Sequence, residues 1–387
     1  MEWIFWICLA GVVYAYFGYP LLLLLVNGLL ARLRPARPAR FQPGEAPPVT
    51  LLIPAHNEAA VIGNKLENCL ALEYPGELEV LVVSDGSSDA TVDIVQQYGR
   101  RDSRLRLIVL EERKGKANAL NVGLEQARGE ILVFSDASIL LDPGAVWEIV
   151  RPFADPRIGC VSGEDHIEGG GGEGLYGRYE LFLRNQESRY GSIVGASGSF
   201  YAQRRGLVTP FLEGFAPDFL SVLNTVEQGY RAISLPEAFG FMRALSSTRD
   251  EFQRKVRTLI RGYTALFRKA SLLNPLRAPL FAFFLFSHKL MRWLVPLFLL
   301  GLLMSNLFLL DRPFYLFTFV AQLLFYGAAF LAWRGVARVE ANPLGRIALY
   351  FTAVNLAILV AWLRYLRGVR QEIWTPSKRV PGGGETP

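Results

Sequence analysis

Cysteine and histidine are scarce, at three each in 387 residues. Cys8, Cys69 and Cys160 have neither paired nor metal-like spacing, which excludes a disulfide framework and a thiolate zinc site. With so few histidines, and His288 beside an apolar segment, a histidine-based metal centre is unsupported. Any metal would be a hard divalent cation on oxygen ligands, Mg2+ or Mn2+. A strong excess of one charge is missing too: 41 Lys and Arg against 35 Asp and Glu leave +6. The arginines cluster beside apolar runs, which reads as membrane topology and anionic-lipid contact, with no nucleic acid as partner. There is no GxxxxGK[ST] phosphate loop and no internal repeat. Apolar residues, in contrast, make up 51% of the chain and concentrate at its two ends. That favours one soluble domain plus a membrane part over two ordinary domains.

Trp3 to Leu30 carries no charge and is long enough to cross a bilayer. No basic segment precedes it and no small-residue cleavage site ends it, so an anchor is expected rather than a signal peptide. Arg32, Arg34, Arg37 and Arg40 follow, which by the positive-inside rule puts the N-terminus outside and the central block in the cytoplasm of a multi-pass cell-membrane protein. Trp293–Leu310, Pro313–Trp333 and Ile347–Leu363 are three further spans, the last short and bearing Asn355. Ala278–Ser287 is apolar but too short to cross. Flanked by Arg277, His288 and Lys289, it reads as an interfacial amphipathic segment. Span parity places the C-terminus outside, whereas Arg364, Arg367, Arg370, Lys378 and Arg379 argue for inside.

From Val49 the chain alternates strand-like and helix-like runs. VTLLIPAHNE, LEVLVVSDGSSD, LRLIVLEE and EILVFSDAS read as strands; Ala59–Leu72, Ala90–Tyr98 and Lys116–Arg128 read as helices, with Ser88 or Asp89 capping the second. This predicts an α/β fold with a mostly parallel sheet covered by helices on both faces, plus one N-terminal and about three C-terminal membrane helices. The expected organisation is an anchor over 1–31, a proline-rich linker over 32–48 and a catalytic block over 49–262. An interfacial segment over 263–292, three spans over 293–366 and a tail over 367–387 complete it. The run Gly169–Gly172 is expected to form a mobile loop.

Three aspartates fall at or beside strand ends, where open α/β sheets form their binding crevices. Asp85 of SDGSSD and Glu58 of PAHNE make a polar cleft suited to a base and ribose, although turn formation alone explains such residues. Lys114 and Lys116 flank Gly115 before a helix, an arrangement that fits an anion site or simply solvated charge. Asp136 ends an apolar strand, and Ser138, two residues on, would point the same way. Together they could hold a divalent ion against a diphosphate, the competing reading of Asp136 being a helix cap. Asp218 of FAPDFL opens a helix as its cap or serves as a general base. Arg254, Lys255, Arg257 and Arg261 share one helix; Arg254 and Arg257 could reach a pyrophosphate, or the set could meet anionic lipid.

In their order, PAHNE, SDGSSD, KGKANALN, FSDAS, GASGSFYAQRR, APDFL and the arginine helix resemble the membrane-bound family 2 glycosyltransferases. This is the inverting GT-A group that includes cellulose, hyaluronan and chitooligosaccharide synthases. The resemblance runs from about Val49 to Gly262. It implies that Pro54, Ala55, Glu58 and Asp85 hold a nucleotide, with uridine as its base, together with Lys116. Asp136 would hold the metal-bound diphosphate, with Ser138 beside it, and Asp218 would deprotonate the acceptor. Gly195, Ser197 and Gly198 would line the acceptor side, with Arg254 and Arg257 at the pyrophosphate.

This sequence departs from the family at three places. Ser138 stands where a second metal-side aspartate is usual, and Pro217 replaces the acidic partner of Asp218. Arg254-Lys255-Val256-Arg257-Thr258 replaces Gln-x-x-Arg-Trp, losing a tryptophan that would stack on an acceptor sugar. The expected activity is transfer from a UDP-linked sugar to a glycan or lipid-linked glycan. Ser138 and Pro217 also suit a catalytically silent nucleotide- or polymer-binding subunit of an export complex. A transporter is disfavoured, since Asn355 is the main polar residue in the spans.

Overall fold

The computed structural model describes residues 1–31, 39–168, 171–243 and 248–370. An eight-stranded sheet has the order β3-β2-β1-β4-β7-β6-β8-β5. Its strands are β1 Val49–Ala55, β2 Leu78–Asp85, β3 Leu105–Leu110, β4 Ile131–Ser135, β5 Ile139–Leu141, β6 Ile158–Glu168, β7 Phe200–Arg204 and β8 Arg231–Arg243. β3, β2, β1 and β4 are mutually parallel; β1, β2 and β4 are mostly apolar and buried on both faces, as central parallel strands are, while β3 at the edge is only partly buried. Beyond β4 the expectation of a mostly parallel sheet gives way to a mixed one. β7 runs antiparallel to both β4 and β6, and β5 antiparallel to β8, while β6 and β8 are parallel with register shifts near Ile158 and Ser162.

Strand order reverses direction between β1 and β4, because β2 and β3 lie to one side of β1 and β4 to the other. A crevice opens at such a switch point, outside the carboxyl ends of the strands. Pairing of β1 with β4 ends at Leu52↔Phe134, so Pro54 stands where the two strands have parted and a missing N–H breaks no ladder between them.

Alternate residues of β1 feed two cores. Val49, Leu51 and Ile53 join one, covered by the helices Ala59–Leu70 and Ala145–Val150. Leu52 joins the other, which continues without a break through Phe219, Tyr263 and Trp293 to Tyr19, Leu23 and Val354. Among the described residues, four helices are long and apolar enough to cross a membrane: Glu2–Ala31, Pro279–Leu307, Pro313–Trp333 and Pro343–Leu366. The second core therefore joins the sheet to three of them. Glu2–Ala31 packs on Pro279–Leu307, where a Cβ added at Gly301 would lie 2.5 Å from Cys8 Sγ; only glycine permits that approach.

Two sequence expectations change here. Ala278–Ser287 is not a separate interfacial element, because Pro279–Leu307 is one helical run that includes a π turn over Leu285–Leu290. The last span, short by its uncharged stretch, is a helix of 24 residues, Pro343–Leu366. Of the glycine run expected as a loop, 169–170 lie outside the described residues and Gly171 begins the helix Gly171–Ser188. Linker residues 32–38 and tail residues 371–387, with the arginines and lysines assigned to them, also lie outside the described residues.

Candidate active site

The loops after β1 and β2 are stitched together by side chains. Asn57, at φ 53°, accepts from the Ser88 N–H at 2.8 Å, and Thr91 Oγ1 accepts from the Glu58 N–H at 2.8 Å. Asp89 accepts from the Ala59 N–H at 3.1 Å and the Thr91 N–H at 3.0 Å, so one carboxylate serves two helix N-termini. The N-cap of the helix Thr91–Gly99 is Ala90, so Asp89 braces the turn just before it instead of capping it; desolvation of its carboxyl is outweighed by these bonds, which hold its pKa below the usual carboxylate range.

Asp85 is 3% exposed, and both its oxygens accept backbone N–H groups, from Lys114 at 2.9 Å and Gly115 at 2.7 Å. The His56 ring bonds its carbonyl oxygen at 2.6 Å. Asp85 therefore fixes the loop before the helix Lys116–Gln126. Gly115 has φ +99°, a conformation that disfavours any side chain.

The expected anion site at the start of that helix is already filled by a carboxylate of the chain. Glu213, arriving from the loop before Pro217, accepts the N–H groups of Asn118, at 3.2 Å, and of Ala117. Desolvation nonetheless raises its pKa. Lys114 points to solvent and pairs with Glu112 at 3.5 Å.

Lys116 Nζ reaches Asp136 Oδ1 at 2.5 Å across the switch point. Both line a small, partly open cavity with Pro54, Leu120, Phe134, Ser135, Gly198, Tyr201 and Pro217. The Asp136 N–H donates to the Ser199 carbonyl at 3.0 Å, so antiparallel β7 brings the Gly-Ser turn against the end of β4. Behind it, Lys65 is fully buried and donates to Ser135 Oγ at 2.8 Å and the Ile139 carbonyl at 2.7 Å, with its pKa lowered by desolvation.

Asp218 lies against Gly198, whose added Cβ would sit 3.9 Å from its carboxyl carbon. It is not the helix cap: Ala216 is, with Pro217 at the first helical position. Desolvation raises its pKa, opposed by the charges of Lys116 and Lys289 and by backbone N–H bonds. Asp165 on β6 also faces this region. Desolvation raises its pKa, with Asp136 and Asp218 adding to the rise, while Ser197 Oγ donates to it at 2.5 Å.

Two expected assignments, Ser197 and Ser138, need correction. Ser197 is 3% exposed and its hydroxyl is spent on Asp165 and the N–H groups of Ser199 and Phe200, so it braces the turn. Ser138 does not share a strand face with Asp136, because β4 ends at Ser135 and the chain turns before β5. Among the arginines, the charge felt by both Glu213 and Asp218 is that of Arg261, with Arg257 beside it. Lys255 instead pairs with Glu251 at 2.5 Å and lies over the Tyr350 ring.

Among the described residues no group of three His, Cys, Asp or Glu could by itself hold a metal. One carboxylate, Asp136, fits the mode in which Mg2+ takes one or two carboxylates and completes its shell with substrate phosphates and water.

Residues 50–209 match the family model described as Glycosyl transferase family 2. That stretch, somewhat under half of the chain, is similar to the family 2 glycosyltransferases. The poly-beta-1,6-N-acetyl-D-glucosamine synthase of Staphylococcus epidermidis is 31% identical to it over 148 residues, 38% of this chain and 34% of the relative. The synthase of that name from Staphylococcus aureus strain COL is 30% identical over the same length. The aligned stretch spans about a third of these curated relatives. The mannosyltransferase PcManGT of Pyrobaculum calidifontis, solved with GDP-Man and Mn2+, superposes with a TM-score of 0.72 at 24% identity. The superposition covers 94% of this chain and 99% of that one, so the two share a fold.

Of the residues gathered around this cleft, Pro54, Asp85, Lys116, Asp136, Gly198 and Asp218 are singled out by the sequence. Asp165, Glu213, Arg261, Lys65 and Lys289 are not. The one sequence signal for Asp165 is the acidic pair Glu164-Asp165, which follows the apolar and small residues IGCVSG.

Proposed function

We propose that the chain is an inverting glycosyltransferase at the cytoplasmic face of the cell membrane. It moves a sugar from a nucleotide-diphosphate donor, UDP-linked, to a hydroxyl of a glycan or lipid-linked glycan. The observation that carries this reading is the cavity at the β1–β4 switch point, with the Lys116–Asp136 pair in its wall and Asp218 against Gly198, which also lines it.

The nucleotide lies over Pro54 and Ala55, with Glu58 and the loop fixed by Asp85 beside it. Asp136, with donor phosphates and water, would hold a divalent cation, which neutralises charge on the departing diphosphate. Lys116 releases Asp136 and turns to the same phosphates, joined by Arg257 and Arg261, while Arg254 extends the basic face. Asp218 takes the proton of the acceptor hydroxyl as its oxygen bonds to the anomeric carbon; the bond to the diphosphate oxygen breaks and the configuration inverts. A raised pKa makes Asp218 a better base than an ordinary aspartate. Gly195 and Gly198 leave room for the acceptor. Partners in glycan export remain part of the proposal.

One observation favours a silent binding subunit: the anion site is taken by Glu213 and Asp136 by Lys116. The deciding experiment gives the full chain, purified in lipid with Mg2+ or Mn2+, a panel of UDP- and GDP-linked sugars, and measures nucleotide release and product mass. Nucleotide release with a heavier acceptor is expected. Donor binding without release from any sugar leaves the silent subunit.

Glu213→Gln supplies a related prediction. The carboxylate competes with the diphosphate for the N–H groups of the helix Lys116–Gln126. Removing its charge is expected to tighten binding of a nucleoside diphosphate up to about fivefold, the size of a helix-terminus charge effect. Calorimetric affinity that is unchanged or weaker counts against competition at this site.

A further inference from the structure

Lys289 comes from the π turn of the helix Pro279–Leu307 and enters the domain beside the proposed acceptor side. Its Nζ lies 3.7 Å from the position of a Cβ added at Gly195 and 5.9 Å from the centre of the Phe219 ring, the residue after Asp218. Among the described residues it makes no hydrogen bond and no ion pair. The acidic groups whose charge it meets are Asp218 and Glu180. Glu180 is already held by Arg292 and by His288 at 3.0 Å, and Asp218 faces Gly198. A half-buried ammonium with no ion pair of its own leaves a place for a ligand's negative charge. In the same turn Phe286 is 43% exposed and adds apolar surface to it.

We propose that Lys289 is the counter-charge for a phosphate ester on a membrane lipid, docking beside Gly195 with its acceptor group turned to Asp218. This deepens the transferase reading and rests on it for the roles of Gly195 and Asp218. A lysine delivered by a membrane helix meets a headgroup sooner than a soluble anion, which decides for the lipid as the source.

The test is binding, so it does not depend on turnover. The full chain in phosphatidylcholine nanodiscs is titrated with a fluorescent polyprenyl phosphate, with the matching polyprenol, and with inorganic phosphate as competitor. Wild-type protein is expected to bind the phosphate form in preference to the alcohol. Lys289→Gln should weaken that binding by about tenfold or more, the value of one charge-assisted hydrogen bond, and Lys289→Arg should largely restore it. Equal affinity in Lys289→Gln, equal binding of the alcohol, or no binding by wild type overturns the proposal. Displacement by inorganic phosphate overturns the lipid as its source. Failed restoration by a Lys289→Arg chain that melts like wild type also overturns it. Absence of nucleotide release, measured separately, would fell the transferase reading instead.

Discussion

The Asp218→Asn chain is expected to lose transfer by about 10²–10⁴-fold while still binding the donor nucleotide, because a general base acts only in the chemical step. Asparagine keeps the shape of the side chain against Gly198 and removes its ability to take a proton. Single-turnover transfer measured beside nucleotide affinity separates the two effects. Near-normal transfer in this variant would end the assignment of Asp218 as base. The carboxylate must be ionised to act, and its pKa is raised, chiefly by desolvation. Wild-type transfer should therefore fall with decreasing pH through a midpoint above the usual aspartate value of about 3.9.

Arg292→Met is expected to have the largest effect on stability. Arg292 is 5% exposed, bonds Glu180 and the Tyr176 hydroxyl, and lies over the rings of Tyr16, Tyr176 and Tyr179 at 5.8, 5.0 and 5.5 Å. Glu180 also bonds His288 at 3.0 Å; His288 bonds Glu187 at 2.7 Å, and the Tyr19 hydroxyl donates to Glu187 at 2.6 Å. Taking the arginine out leaves a carboxylate in an apolar setting with too little positive charge, a loss on the order of 3–5 kcal/mol. Glu180→Gln combined with Arg292→Met should cost less than Arg292→Met alone, since removing both partners leaves no stranded charge. Thermal unfolding in detergent micelles reads both. A melting temperature for Arg292→Met equal to wild type would mean the network holds nothing.

The same residues explain what the sequence could and could not disclose. β1, β2 and β4 are apolar runs that end in polar residues, so strand type, sheet side and the strand-end positions of Pro54, Asp85 and Asp136 can be read along the chain. The partners of those residues cannot. Asp85 is tied to Lys114 and Gly115, and the helix Lys116–Gln126 is capped by Glu213, far along the chain in each case. The antiparallel half of the sheet was illegible for a related reason: β6, β7 and β8 pair across long intervals, with shifts that break simple alternation. Ser138 was misplaced because two-residue periodicity was carried past the strand end. His288, Lys289 and Arg292 looked like the end of an interfacial segment, since charge interrupts apolar sequence there. They lie inside a continuous helix, where Glu180 and Glu187, on another helix, hydrogen-bond His288 and Glu180 pairs with Arg292.

The core shared by the sheet and the membrane-length helices makes the bilayer a mechanical part of the domain. Trp293 packs against Phe219 at 6.4 Å and Tyr263 at 4.7 Å between ring centres, and Trp362 stacks on Tyr263 at 4.4 Å. Phe219 adjoins Asp218, so the helix carrying the proposed base rests on the spans themselves. A bilayer thicker or thinner than these helices makes them tilt. That tilt is applied where the acceptor proton is to be taken, and membrane thickness becomes a setting of the reaction geometry.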